Sequence, residues 1–238
     1  MRLFSPEHLA AIAATALAAA LATVLARRLA GGAANTAIEQ RRAVALTRAL
    51  ALLILAGFAV EQVTYAARGT WSARVNLPLQ LSDAVTLVAI AALWRPRVGL
   101  QTELVYFWAL SASLQAVLTP DLGETFPDVL FFTYFVTHAG AIVAACVLVF
   151  GLRKAPRTGA VLRVYGVTAA FALLAALGCV ATGGNYMFLR SKPATGSALD
   201  ALGPWPVYIV GAAALGLAML LVLDALARVV ARHDAVRR

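Results

Sequence analysis

Eight polar residues stand in or beside the apolar runs of this chain: Glu61, Gln62, Gln80, Ser82, Asp83, Gln115, His138 and Asn185. Ionisable groups in hydrocarbon are costly and mark functional positions. A carboxylate and an imidazole there suit a proton relay, and Asp83 suits recognition of a cationic solute. Each residue also has a plainer reading. His138 can hydrogen-bond a neighbouring helix, Ser82 and Thr86 can be small contacts between helices, and Asp83 can pair with Arg74, Arg190 or Lys192. Glu61 and Gln62 fit an interfacial position, and His8 and His233 fit solvated chain ends. Metal chemistry has little support, because His138 has no second histidine one helical turn away and no cysteine pair is present. No phosphate-binding glycine loop or dinucleotide fingerprint occurs, and no cofactor is expected.

The elements that would position these groups are membrane helices. The 238 residues are 62% hydrophobic and 13% charged, with mean hydropathy +0.82, far from a soluble domain. Runs of about 20 apolar residues suffice to cross a bilayer. Seven are expected, with cores at 9–26, 44–63, 77–94, 100–118, 129–150, 162–181 and 207–230. The first ends at Arg27-Arg28 and reads as a retained helix rather than a cleaved signal. Cys146 and Cys179 fall inside apolar runs and read as small buried hydrophobes.

Fifteen of the 20 Lys and Arg residues fall on one set of connections, namely after the first, third and fifth runs and in the C-terminal tail. The other set holds Arg2, Arg68, Arg74, Arg190 and Lys192. The positive-inside rule then puts the N-terminus outside and the C-terminus in the cytoplasm. The expected fold is all-α, one seven-helix transmembrane domain in the cell membrane. The net charge of +9 sits in short loops, so its partners are anionic lipid headgroups at the cytoplasmic face rather than nucleic acid.

The polar groups then gather towards the outer leaflet. On the third helix Gln80, Ser82, Asp83 and Thr86 share an arc of roughly 160°, with Pro78 in the first turn. On the fifth, Thr133, Tyr134, Thr137 and His138 share roughly 140°. Ser82 and Asp83 lie about 9 Å into the bundle and His138 about 15 Å, close enough for contact. Thr125 is placed as the N-cap of the fifth helix, with Pro127 in its first turn and Asp128 completing a capping box. Trp205 and Tyr208 fall at headgroup depth.

Three blocks carry a family likeness. They are Leu77-Pro78-Leu79-Gln80-Leu81-Ser82-Asp83, then Thr119-Pro120-Asp121 with the stretch from Phe131 to His138, and finally Gly184 to Pro193 with Asp200 to Pro206. Together they resemble the YwaF-type bacterial integral membrane proteins, distant relatives of the eukaryotic transmembrane protein 164. The resemblance implies an acyltransferase acting on glycerophospholipids through a cysteine nucleophile. Many bacterial members read closer to L-P-L-H-L-C in the first block, whereas Gln80 stands here at the histidine position and Ser82 at the cysteine position. A serine needs an adjacent base to attack. On this reading Ser82 is the nucleophile, His138 the base and Asp83 the group that orients the imidazole. Gln80 or Asn185 would serve a developing oxyanion, with Tyr186 beside them, and Arg190 and Lys192 would hold the lipid phosphate. The alternatives are a proton-coupled transporter or solute-binding protein without chemistry, and a structural or assembly protein in which the polar cluster locks helices together.

Overall fold

A computed structural model describes residues 3–30, 36–193 and 196–236, with side chains to residue 234. Arg2, Arg237 and Arg238, counted in the charge pattern, lie outside the described residues. The described elements are helical, with no strands. They are α1 (Pro6–Ala30), α2 (Ala37–Ala67), α3 (Leu81–Trp94), α4 (Leu100–Trp108), α5 (Leu114–Leu118), α6 (Val129–Cys146), α7 (Ala160–Thr182) and α8 (Val207–Val236). A π-helical turn, Ala109–Ser113, joins α4 to α5 in one rod, and another, Val147–Gly151, ends α6. Five helices are long and apolar enough to cross a membrane: α1, α2, α6 with its π turn, α7 and α8. The α3 helix has only 14 residues.

The α6 helix is the centre of the bundle. Of its most apolar window, 72% is buried, against 6–22% in the other four long helices. The α3 and α4 helices fill the remaining interior, with Val85, Leu93, Val105, Tyr106 and Phe107 fully enclosed. The outer faces of α1, α2, α7 and α8 expose leucine and valine, as helices facing lipid do.

Close approach is set by small residues. A Cβ on Gly57 would lie 2.7 Å from Val136 Cγ1, and one on Gly140 would lie 2.6 Å from Ile54 Cγ1. Glycines on both sides therefore let α2 and α6 touch nearly backbone to backbone. At the arginine-rich end, Glu103 is 1% exposed and is held by Arg157 (Nε–Oε1, 2.8 Å) and Arg163 (Nη2–Oε1, 2.9 Å). This carboxylate ties the α6–α7 connection to α4.

Several sequence expectations change. His8 is fully buried rather than solvated, and its Nε2 donates to the Val117 carbonyl at 2.9 Å while Nδ1 accepts from Phe4 N–H. Because α5 stops at Leu118, its last carbonyls need partners. His8 serves Val117, and the Tyr134 hydroxyl serves Ala116 at 2.9 Å. Asp128, not Thr125, caps α6, since its own carboxylate accepts from Leu130 N–H at 2.8 Å. Gln80 occupies the N-cap position of α3 without a side-chain cap, so Pro78 precedes the helix instead of entering its first turn. Tyr208 is 2% exposed, its hydroxyl turned inward to the Phe188 carbonyl.

Candidate functional site

The start of α3 is fixed by a segment more than 100 residues away. The Tyr186 hydroxyl donates to the Ala73 carbonyl and accepts from Leu77 N–H at 3.2 Å. Gln80 Oε1 accepts from Met187 N–H at 2.7 Å. The Arg74 carbonyl passes so close over Gly184 that a side chain there would collide with it. A glycine is required for this crossing.

These contacts seat α3 with an open first turn. The Gln80 carbonyl accepts from Asp83 and Ala84 N–H. Among the described residues the N–H groups of Leu81 and Ser82 have no acceptor, and Gln80 provides no side-chain cap. Unpaired N–H groups at a helix start carry partial positive charge. Ser82 lies in this turn. Thr86, Thr133, Thr137, Thr168 and Thr182 turn their hydroxyls to carbonyls three or four residues earlier. Ser82 has no helical carbonyl behind it, because its own helix has only just begun.

On α6, Thr133, Thr137 and His138 are buried. Tyr134 packs edge-on against His138 with centroids 4.3 Å apart. His138 is 7% exposed, and among the described residues its Nδ1 has no partner. Such a group is uncommon, because buried polar atoms are nearly always paired. Gly57 of α2 abuts Val136 and Thr137, and Glu61 lies one helical turn further towards the same end as Asp83. The Glu61 charge acts on Asp83, and that of Glu124 acts on Glu61. Neither Glu61 nor Asp83 forms an ion pair among the described residues.

Ser82, Asp83 and His138 thus come from two packed helices, α3 and α6. No hydrogen bond or ion pair joins them among the described residues. The expected pairing of Asp83 with Arg74 or Lys192 is not formed. Arg74 donates to the Gly183 carbonyl (3.3 Å), and Lys192 lies near Asp200 (4.0 Å) and over the Tyr208 ring. Arg190 is exposed. Asn185 uses both side-chain ends within its own loop, accepting from Arg190 and Ser191 N–H and donating to the Ser191 carbonyl. Gln115 is exposed, and Gln62 accepts from Trp71 Nε1 at 2.9 Å.

Glu61, expected at an interfacial position, is half-buried four residues from Gly57, on the face that the glycine opens. Glu103 was overlooked altogether. Among the described residues no group of three or more His, Cys, Asp or Glu side chains is arranged to hold a metal ion.

No curated protein and no solved structure matches the chain. A model described as the TMEM164 family matches residues 3–224. That span includes α3, α6, the Tyr186 brace and all eight expected site residues. With its several long apolar helices, the chain is a multi-pass membrane protein, and it belongs to the TMEM164 family.

Proposed function

We propose that this protein is a membrane-embedded acyltransferase that remodels glycerophospholipids from the outer leaflet, in the cell membrane, with α3 and the α4–α5 rod completing seven spans. The three sequence blocks suggest the YwaF-type bacterial branch of the family. The observation that carries the reading is the buried His138 imidazole, its Nδ1 without a partner among the described residues, on a helix packed against α3, whose first turn holds Ser82. Ser82 Oγ attacks an acyl ester carbonyl, and His138 takes the hydroxyl proton. The oxyanion is received by the Leu81 and Ser82 N–H groups, assisted by the α3 dipole. Collapse breaks the ester bond, leaving an acyl-serine and a lysophospholipid that receives the proton from the imidazolium. An acceptor hydroxyl then reverses these steps and takes the acyl group. Asp83 orients the imidazole once lipid draws the two helices' groups into contact. Apo sites often show such bonds long or unmade. Gln80 and Asn185 are engaged in bracing, so the backbone amides are the better oxyanion donors.

The test is incubation of purified protein with phospholipid labelled in one acyl chain. A labelled acyl-enzyme or transferred chain is expected. Ser82→Ala and His138→Ala abolish it, and Ser82→Cys retains it in a form sensitive to thiol alkylation. Full activity in both alanine variants overturns the assignment. A second reading, proton-coupled transport, draws on the charge of Glu61 acting on Asp83, with no ion pair to either among the described residues. It requires pH-driven solute flux in proteoliposomes that is lost in Asp83→Asn. Absence of flux removes it.

A further inference from the structure

At the arginine-rich end, between the close of α6 and α8, lies a cavity of about 220 Å³. Phe150, Ala227, Val230 and Ala231 form an apolar wall, and Arg153 and Asp234 supply the polar groups. The carboxylate is already held by Arg27, whose Nη2 lies 2.6 Å from Asp234 Oδ2 and whose Nε donates to the Phe150 carbonyl at 2.9 Å. Arg153 is different. Its Nε is buried without a hydrogen bond among the described residues, and its approach to Asp234 is 3.7 Å. One carboxylate thus faces two guanidinium groups, and the positive charge left over belongs to Arg153.

The backbone adds an independent observation. Arg153 follows the π turn that ends α6, with Leu152 N–H bonded to the Val147 carbonyl and Lys154 N–H to the Leu148 carbonyl. Its φ is +56°, the left-handed position that closes such a helix end. Glycine is the usual occupant there, and a side chain is strained. The cap therefore holds a long cationic residue beside the cavity, in a conformation that glycine would adopt without strain.

We propose that this cavity is a binding site for the phosphate of an anionic phospholipid headgroup, with Arg153 as its ligand. Guanidinium N–H groups match phosphate oxygens in charge and geometry. The apolar wall on α8 accommodates the glycerol and the first acyl carbons, which selects lipid over free phosphate. The site lies at the opposite end of the bundle from Ser82 and does not depend on the acyltransferase reading.

The test is thermal unfolding of the full chain in detergent, with phosphatidylglycerol, phosphatidylcholine or inorganic phosphate added. Phosphatidylglycerol is expected to raise the midpoint well above the rise given by the other two. Arg153→Gly suits the left-handed backbone, so it keeps the lipid-free midpoint while phosphatidylglycerol binding weakens roughly 10- to 100-fold, the range for a lost charged hydrogen bond. Ala231→Phe, which fills the cavity and leaves the arginine, also abolishes the rise. Undiminished lipid response in either variant overturns the site. An equal rise with inorganic phosphate overturns the lipid assignment.

Discussion

At the scale of single residues, the polar groups around the start of α3 divide into those that brace the chain and those left free. Tyr186 is the clearest brace, being fully buried with its hydroxyl between Ala73 and Leu77. Tyr186→Phe keeps the ring and strands a carbonyl and an N–H, which should cost about 1–3 kcal/mol and lower the unfolding midpoint. Because α3 then loses its seat, acyl transfer should fall too, while Ser82→Ala should leave stability nearly unchanged. Thermal unfolding measured beside activity for the two variants checks this split. An equal loss of stability in both would make Ser82 another brace. The sequence made both residues conspicuous but could not sort them. Asn185 and Gln80 stand out as polar groups in apolar surroundings and Tyr186 through the family likeness, yet their partners are set by how the α7–α8 connection folds back over α3. His8 was misread for a similar reason, since its acceptor at Val117 is 109 positions away.

At the scale of helices, local pattern was legible and contact was not. Hydropathy placed the cores of the long helices, but their ends depend on caps. Asp128 closes α6 because its carboxylate takes both Leu130 N–H and the Arg68 guanidinium (3.0 Å), which also ties α2 to α6. The Leu130 hydrogen bond, followed by Arg68, holds the Asp128 carboxyl below the usual range. A lowered value means that the tie is fully present above the unfolded aspartate value, about 3.9, and is lost as pH falls through the folded one. Amide exchange at Leu130 and Phe131 should therefore accelerate on acidification, corrected for the intrinsic rate, and Asp128→Asn should abolish that response. Deeper in the same pair, Gly140→Ala pushes a methyl into Ile54 and should destabilise by about 1–3 kcal/mol. Ile54→Ala alone leaves a cavity and costs about 2–5 kcal/mol. The double variant should cost clearly less than the two together, because each change fills or empties the same space. Strict additivity in chemical denaturation would show that the helices do not meet there.

At the scale of the molecule, the question is how a 14-residue α3 takes part in a bundle of longer helices. Fourteen residues of helix rise about 21 Å, short of a hydrocarbon core of about 30 Å. On the proposed seven-span topology the remainder falls to the non-helical stretch 72–80, which is braced by Tyr186 and Gln80. Irregular backbone at membrane depth is tolerated where protein covers it. On that topology the same shortening would put the open first turn, with Ser82, below the membrane surface, on a helix packed against α6. A full-length third span, as hydropathy suggests, would have exposed that turn to water. If α3 and the α4–α5 rod both cross, single cysteines at Thr70 and Gly123 should react with a membrane-impermeant thiol reagent on intact cells. Cysteines at Val98 and Thr158 should react only after permeabilisation. The native Cys146 and Cys179 are half-buried and buried, so background is low. Labelling of Val98→Cys from the outside would mean that α3 dips into the membrane and returns, and the proposed outer-leaflet access to Ser82 would fall with it.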